Sequence, residues 1–261
     1  MNNHYNPEKS TIDPIEIEKF SKIADEWWDK NGKFKPLHFF NPARINYIKN
    51  YLQKYFNLQS NTNSEKIFTN YRDNQALKII DIGCGGGLVA EPLALMGAEI
   101  TAIDASDKNI AVAKIHSEKT GVAINYLKAS SEEYLKQFPQ QKFNVVLALE
   151  VIEHVANIEK LISDCATLGE SGSLIFIATI NRNIKSLLTA KFIAEYVLRW
   201  LPIGTHDWQK FLKPSEINEI ANNYQLELKK ICGFEYSIIK NQWQQNYKNI
   251  DVNYIMVFEK K

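Results

Sequence analysis

Two carboxylates and an imidazole stand close together in the segment Glu150-Val-Ile-Glu153-His154. If a helical turn begins at Glu150, positions i, i+3 and i+4 share one face and the three side chains meet. Such a set favours Mg²⁺ or Mn²⁺ through its oxygens, and the histidine also suits zinc or iron. The alternatives are a Glu-His pair that only shapes a pocket, or His154 acting alone as a general base, since an imidazole pKa of about 6.5 suits neutral pH. The spacing alone leaves both interpretations open.

A glycine-rich segment, Asp81-Ile-Gly-Cys-Gly-Gly-Gly87, directly follows an apolar run. Such glycines let the backbone approach a ligand at the carboxyl edge of a sheet, where doubly wound folds bind cofactors. The dinucleotide-binding fingerprint G-x-G-x-x-G would need a third glycine at position 88, but the chain has Leu88 there. The spacing therefore favours a nucleoside ligand without a pyrophosphate. Asp104 ends the next apolar run and can accept both ribose hydroxyls. The alternative for the glycine loop is a tight strand-to-helix turn that binds no ligand. The alternative for Asp104 is to cap the helix that follows, although Ser106 and Asp107 are better placed for that role.

The elements expected around these motifs alternate between strand and helix. Apolar runs predict strands at 77–82, 99–103, 123–127, 143–149, 174–180, 226–232 and 253–258, and periodic segments predict helices at 88–96, 108–119 and 158–167. Strands separated by helices imply right-handed crossovers and a parallel sheet. We therefore predict an α/β fold with a Rossmann-like, doubly wound, mainly parallel seven-stranded sheet that carries an antiparallel edge strand.

Helices are also expected ahead of the sheet. Asp13-Pro14 is typical of a helix start, with an aspartate N-cap and proline in the first turn, and Asn41-Pro42 repeats the signal. The tail up to about Thr11 is polar and is expected to be disordered. We predict that residues 1–76 form an N-terminal helical cap and polar loop of the same unit. Residues 77–261 then form the main domain, with a helical insert at about 182–214.

Composition narrows the classes of function. A net charge of +1 gives no electrostatic reason to expect a nucleic-acid partner. The three cysteines show no CxxC spacing, which fits a reducing compartment and excludes a thiolate zinc site. There is no apolar stretch long enough for a secretory signal or a membrane span. We expect a cytoplasmic protein, soluble or at most peripheral on the inner face of the membrane.

The chain resembles the class I methyltransferases in its glycine loop, in Asp104 and in Leu149-Glu150 at the end of the fourth predicted strand. It resembles the ubiquinone biosynthesis O-methyltransferases more closely, from about Glu18 to Glu259. The segments that carry this second resemblance are Trp27-Trp28-Asp29, Phe34-Lys35-Pro36-Leu37-His38, Asn41-Pro42-x-Arg44, Glu150-x-x-Glu153-His154-Val155, Thr179-x-Asn181-Arg182-Asn183, Ala194-Glu195-Tyr196, Gly204-Thr205-His206-Asp207 and Asp251-Val252-Asn253-Tyr254.

The resemblance implies S-adenosylmethionine as the cofactor. Gly83 and Gly85 would flank its methionine end, Asp104 would hold the ribose, and Leu149 would lie against the adenine-side wall or the sulfonium. Arg44 would contact the methionine carboxylate, for which a guanidinium is chemically suited; taken alone, Arg44 is a solvated residue in the first turn of its helix. The residues that would lie near the adenine are Ser130, Ser131 or Glu132, and the choice stays open.

The resemblance also implies O-methylation of two substrates, a polyprenyl benzenediol and demethylubiquinol. Glu150, Glu153 and His154 would then bind a divalent ion, Mg²⁺ first, and Glu150 and His154 would serve catalysis. Chelation of adjacent catechol oxygens favours the phenolate over a hydroxyl with a pKa of about 10. The rival interpretations are a methyltransferase for another small acceptor, a non-catalytic protein that binds S-adenosylmethionine in a membrane complex, and a nicotinamide dehydrogenase, which Leu88 disfavours.

The segment 184–201 is dense in apolar and aromatic residues, with a charged stripe at Lys191, Glu195 and Arg199. Such a helix can lie in the interface of a bilayer. The alternative is a helix packed over the substrate pocket. The resemblance favours peripheral contact with membrane lipid, and other ubiquinone-biosynthesis proteins are candidate partners.

Overall fold

The computed structural model of the chain describes residues 10–58, 66–69, 71–73, 75–182, 210–237 and 239–261. The helix predicted at 184–201 lies outside these residues, as does most of the insert predicted at 182–214. Among the described residues, no helix is both long and apolar enough to cross a membrane.

Eight strands form one sheet in the order β3-β2-β1-β4-β5-β8-β6-β7. Their bounds are β1 Lys78–Ile82, β2 Glu99–Asp104, β3 Asn125–Lys128, β4 Phe143–Leu149, β5 Gly169–Ile180, β6 Leu226–Ser237, β7 Gln242–Asn246 and β8 Asn253–Lys260. Strands β1 to β5 are parallel. β8 runs antiparallel to both β5 and β6, and β7 runs antiparallel to β6. The doubly wound, Rossmann-like α/β fold and its antiparallel edge are confirmed.

The predicted count of seven strands is wrong by one, because β7 was not expected. Its sequence, Gln-Trp-Gln-Gln-Asn, lacks the alternation of apolar and polar residues that marks a half-buried strand. It pairs with β6 over Gly233–Ser237, and only its Trp243 packs against the core. β7 is a strand because its main chain hydrogen-bonds to β6, and the pattern of its side chains does not predict that pairing.

The α-helices within the described residues are α1 Pro14–Lys22, α2 Lys35–Tyr55, α3 Ala90–Leu95, α4 Asp107–Thr120, α5 Ser131–Gln137, α6 Ile158–Leu168 and α7 Pro214–Asn222. The predicted start of α1 is confirmed: the Asp13 side chain accepts hydrogen bonds from the backbone N–H groups of Ile15 and Glu16. Ser106 caps α4 by accepting from the N–H of Asn109, which leaves Asp104 for another role.

Helix α2 begins at Lys35, so the start predicted at Asn41-Pro42 is wrong. Pro36 lies in the first turn, where its missing N–H would have no helical partner. Pro42 lies inside the helix, where it removes one backbone hydrogen bond. The burial of Phe40, Ile48 and Leu52 against the sheet offsets that loss and holds α2 beside the carboxyl edge.

Alternate residues along the central strands supply two apolar clusters, one on each face of the sheet. In β1, Ile79 belongs to the cluster that contains α2, and Ile80 belongs to the cluster that contains α6. Successive side chains of a strand point to opposite faces, so an unbroken apolar run serves both clusters at once.

The chain that leaves β5 and the chain that approaches α7 lie side by side. Asn181 and Leu212 form a parallel bridge. The hydroxyl of Tyr254 in β8 donates to the carbonyl oxygen of Leu212 at 2.8 Å, and the side-chain amide of Asn181 donates to the carbonyl of Ile250 at 2.9 Å. Both ends of the segment between β5 and α7 are therefore held at the same edge of the sheet.

Candidate active site

An open cleft of about 790 Å³ lies at the carboxyl ends of β1, β2 and β4. The strand order reverses between β1 and β4, and doubly wound folds bind their ligands at that switch point. Its wall combines residues from the sheet edge with α1, which crosses above them. The predicted site residues in this wall are Gly83, Gly85, Asp104, Ser130, Ser131, Glu150 and His154.

The glycine loop needs glycine for two separate reasons. Gly83 and Gly85 have φ of +69° and +55°, in the left-handed region that favours glycine. In addition, a Cβ atom on Gly85 would lie 2.4 Å from the ring of Trp27, and one on Gly83 would lie 2.6 Å from Val151. Trp27 therefore packs directly on the loop and closes that end of the cleft.

Asp104 is held in one orientation at the cleft. Its Oδ2 accepts from the backbone N–H of Gly85 at 2.9 Å, and its Oδ1 accepts from the N–H of Ser106 at 2.8 Å and from the Asn109 amide at 3.1 Å. Burial raises the pKa of this carboxyl, and the three donors oppose that rise because they favour the charged form. The carboxylate is thus preorganised where the sequence predicts a ribose.

His154 is joined to the N-terminal helix. Its Nδ1 lies 3.1 Å from Oε2 of Glu16, while Oε1 of Glu16 lies 2.9 Å from Lys19 Nζ and 3.0 Å from Lys210 Nζ. Burial lowers the pKa of His154, but the hydrogen bond to Glu16 and the charges of the nearby carboxylates outweigh it, so the pKa is raised. The His154 hydrogen bond is also the largest cause of the strongly lowered pKa of Glu16.

The helical turn expected at Glu150 is not formed. Glu150 has a φ of +55°, and the turn that follows it is a 3₁₀ turn over Ile152–His154, so Glu150 lies outside any helix. No three His, Cys, Asp or Glu side chains of the described residues are grouped closely enough to hold one metal ion. The predicted ligand set Glu150, Glu153 and His154 is therefore not assembled here: the glutamates are neighbours, whereas His154 turns toward Glu16.

Arg44 is buried behind Glu150, with only 4% of its surface exposed, so the view of it as a solvated residue is wrong. Its Nη1 lies 3.7 Å from Oε1 of Glu150, and its Nη2 donates to the side-chain oxygen of Asn41. Nε and Nη1 have no hydrogen-bond partner within the part of the chain that the structure describes. Burial lowers the pKa of Arg44, and the charges of Glu150, Asp81 and Glu153 oppose that change.

Of the three candidates for contact with an adenine, two line the cleft. Ser130 caps α5, and the hydroxyl of Ser131 donates to Asp164 at 2.8 Å. Glu132 does not line it; its carboxylate accepts from the Ser10 hydroxyl at 2.7 Å and from the Thr11 hydroxyl at 2.6 Å. The tail expected to be disordered up to about Thr11 is therefore ordered at its end, and Thr11 is buried.

Comparison with known proteins gives the chain a family. Residues 80–177 match the family described as a methyltransferase domain. The chain is 48% identical over 251 residues to the ubiquinone biosynthesis O-methyltransferase of Pelagibacter ubique, across 96% of this chain and 99% of that protein. The chain belongs to the ubiquinone biosynthesis O-methyltransferases. As a member, this O-methyltransferase is an S-adenosylmethionine-dependent enzyme, as the resemblance implied.

Two further comparisons agree with the family. A ubiquinone biosynthesis O-methyltransferase from Rickettsia prowazekii is 44% identical over 252 residues, covering 97% of this chain and 92% of that protein. The magnesium protoporphyrin IX methyltransferase of Synechocystis PCC 6803, solved with bound S-adenosylmethionine, superposes with a TM-score of 0.62 at 15% identity over the whole of both chains. That likeness shows that the O-methyltransferase shares its fold.

Sequence reasoning missed two residues of this site, Glu16 and Asn109. Glu16 lies in the first turn of α1, where an acidic residue already suits the helix dipole. Asn109 lies in α4, and asparagine in a helix is usually exposed, although here it is buried. A buried polar residue in a helix is a signal in a structure, but a single sequence does not reveal which polar residues are buried.

Asn109 links the cap to the predicted ribose carboxylate of the O-methyltransferase. Its Oδ1 accepts from Trp27 Nε1 at 2.9 Å, while its Nδ2 donates to Asp104 at 3.1 Å. We expect Asn109→Asp to weaken binding of S-adenosylhomocysteine about 10-fold, since the lost donor becomes a charge facing Asp104. Calorimetric titration measures this, with exposed Asp107→Asn as the control. Unchanged affinity in Asn109→Asp would contradict the prediction.

Proposed function

We propose that this O-methyltransferase methylates a hydroxyl of a polyprenylated catechol or quinol, namely a polyprenyl benzenediol and demethylubiquinol. The observation that carries the proposal is that the residues predicted to bind the cofactor share one cleft with the histidine: Gly85, Asp104 and His154 all line it. The name shared by the relatives from Pelagibacter ubique and Rickettsia prowazekii supports the substrate class.

The residues of the cleft fit S-adenosylmethionine. Gly83 and Gly85 line the cleft with φ of +69° and +55°, and backbone without a side chain can approach a ligand closely there. Asp104 offers a fixed carboxylate to the ribose hydroxyls. Arg44 brings buried N–H donors that suit a carboxylate, although its guanidinium lies behind Glu150 and outside the cleft wall. Leu149 ends β4 and is buried, and it does not line the cleft.

His154 is proposed as the group that takes the proton of the acceptor. The acceptor oxygen bonds to the methyl carbon as the carbon–sulfur bond breaks, and that bond's electron pair stays on sulfur, giving S-adenosylhomocysteine. The hydroxyl proton goes to the ring nitrogen of His154 that carries the lone pair. Proton transfer to a positioned base is typically worth about 10²–10⁴-fold in rate.

A divalent cation fits one part of the site. Glu153 is buried and its Oε2 has no hydrogen-bond partner among the described residues. Burial and the charge of Glu153 raise the pKa of Glu150 to about 7, although Arg44 at 3.7 Å opposes that rise, so a cation beside both carboxylates would relieve the repulsion that remains between them. We propose that Glu150 and Glu153 hold Mg²⁺, with His154 as a ligand or as the base. The ion, when bound, would favour the catecholate form of the acceptor.

The test is methyl transfer from labelled S-adenosylmethionine to short-chain demethylubiquinol, with EDTA and then with Mg²⁺ restored. We expect EDTA to abolish transfer and Mg²⁺ to restore it. Transfer that is indifferent to EDTA would reject the metal and keep His154 as the base. Absence of transfer to a properly reduced quinol, with cofactor binding intact, would reject the substrate class in favour of another small acceptor or a non-catalytic role.

A polyprenylated acceptor is dissolved in lipid, and we propose that the enzyme meets it at a membrane surface. The segment 184–201, whose composition suggested such contact, lies outside the described residues. This part of the proposal therefore depends on the chemistry of the acceptor alone. Faster transfer to quinol in anionic liposomes than in neutral ones would support it, and equal rates would count against it.

A further inference from the structure

We propose that Glu16 is a positioning residue for His154, which it holds with Nδ1 protonated, so that the lone pair of the neutral ring is on Nε2. The inference deepens the proposed function and rests on it, since it assumes that His154 serves the reaction. It assigns a role in chemistry to α1, which the sequence presents only as part of an N-terminal cap. Glu16 and His154 are 138 residues apart in the chain and meet only in the folded protein.

The burial of Glu16 is the first observation behind the proposal. Glu16 is 5% exposed, although an acidic residue in the first turn of a helix needs no burial to interact with the helix dipole. A buried carboxylate is costly unless several partners satisfy it. By contrast, Glu18 on the same helix has a side chain that is 68% exposed and pairs with Lys22. Only the carboxylate that faces the cleft is withdrawn from water.

The second observation is how the two carboxylate oxygens of Glu16 are divided. Oε1 accepts from the ammonium groups of Lys19 and Lys210, at 2.9 Å and 3.0 Å. Oε2 is directed at Nδ1 of His154 at 3.1 Å. An ionised carboxylate only accepts, so Nδ1 must carry the proton and donate it. The lysines thus fix the carboxylate, and the carboxylate selects one form of the imidazole.

The third observation is that α1 also restrains the plane of the ring. Phe20 lies one turn after Glu16 on the same helix face and packs against the imidazole, with ring centroids 5.0 Å apart and ring planes at 82° to each other. His154 therefore has a hydrogen bond at Nδ1 and an aromatic contact on its ring, both from α1. Carboxylate–histidine pairs of this kind set the tautomer and orientation of the ring, whether it then acts as a base or as a metal ligand.

The test compares Glu16→Ala and Glu16→Gln with Glu18→Gln, a substitution on the exposed face of the same helix. We expect Glu16→Ala to lower kcat by about 10–100-fold at saturating substrates. Glu16→Gln should retain more of the rate, because its amide oxygen still accepts from Nδ1. Glu18→Gln should retain wild-type kcat. The Kd for S-adenosylhomocysteine should stay within about 2-fold in all three, which separates a loss of positioning from a loss of fold.

A spectroscopic measurement reports on the imidazole itself. With ¹⁵N-labelled histidine, the ring signals of His154, assigned with His154→Gln, should indicate the Nδ1–H form in the wild type and a mixture of forms in Glu16→Ala. The double variant Glu16→Ala/His154→Gln should lose no more activity than His154→Gln alone. Wild-type kcat or an unchanged tautomer in Glu16→Ala would overturn the inference. A wild-type kcat in His154→Gln would instead overturn the proposed function on which it rests.

Discussion

Glu150→Gln is expected to lower kcat/KM for the quinol acceptor by about 10²–10³-fold while the enzyme stays folded. The substitution keeps the size of the side chain and removes the negative charge that faces Arg44 and Glu153. If Glu150 shares a divalent cation with Glu153, half of the charge that holds the ion is lost. The loss should be partly recovered by raising the concentration of Mg²⁺, because the remaining ligand binds the ion more weakly.

Steady-state kinetics at several Mg²⁺ concentrations measure this effect, with the exposed Glu118→Gln on α4 as the control. The same variant tests the raised pKa of Glu150. A carboxyl with a folded-state pKa of about 7 against an ordinary 4.5 binds its proton more tightly in the folded chain. The free energy of unfolding therefore falls as the pH rises from about 4.5 to about 7. In EDTA and without cofactor, Glu150→Gln should flatten that fall; equal pH profiles would contradict it.

Gly85→Ala is expected to cost about 2–5 kcal/mol of the free energy of unfolding. About 1–2 kcal/mol comes from placing an L side chain at a φ of +55°. A further 1–3 kcal/mol or so comes from overpacking, since the new methyl group would lie 2.4 Å from the Trp27 ring. Trp27 cannot withdraw without losing its stack on Phe34 and its hydrogen bond to Asn109.

Gly121→Ala is the matched control for Gly85→Ala. Gly121 has a φ of +71°, but a Cβ there would meet nothing within 4 Å, so only the backbone cost remains. Urea unfolding of the two variants gives the packing cost as the difference between them. Similar losses of stability in both variants would show that the Trp27 ring yields to the methyl group, and that the close contact on the loop is not a constraint.

The sequence predicts the sheet well because its central strands are buried on both faces. The run Phe143–Leu149 is almost entirely apolar, as a strand buried on both faces must be, and every residue of it is buried. The pattern of apolar residues fails to predict a strand that is formed by main-chain pairing alone, as β7 is. It also misleads at α2, where Asn41-Pro42 predicts a helix start although Pro42 lies inside the helix, which begins at Lys35.

The candidate site is predictable to the extent that its residues are close in sequence or follow strands. The glycine loop and Asp104 end β1 and β2, so the topology of a parallel sheet places them together. Glu16 and Asn109 are different, because their roles depend on partners far away in the chain. The conformation of Glu150 was also beyond prediction, since nothing local marks a φ of +55° on a glutamate.

The bridge between Asn181 and Leu212 has a consequence for how such an enzyme changes over time. Asn181 and Leu212 pair with each other, so the two ends of the thirty residues between them lie side by side. Lengthening a loop whose ends are already held together costs little extra entropy. Changes in the length or sequence of this stretch, and in any acceptor preference that it confers, can therefore accumulate during evolution without altering the register of the strands beside the cleft.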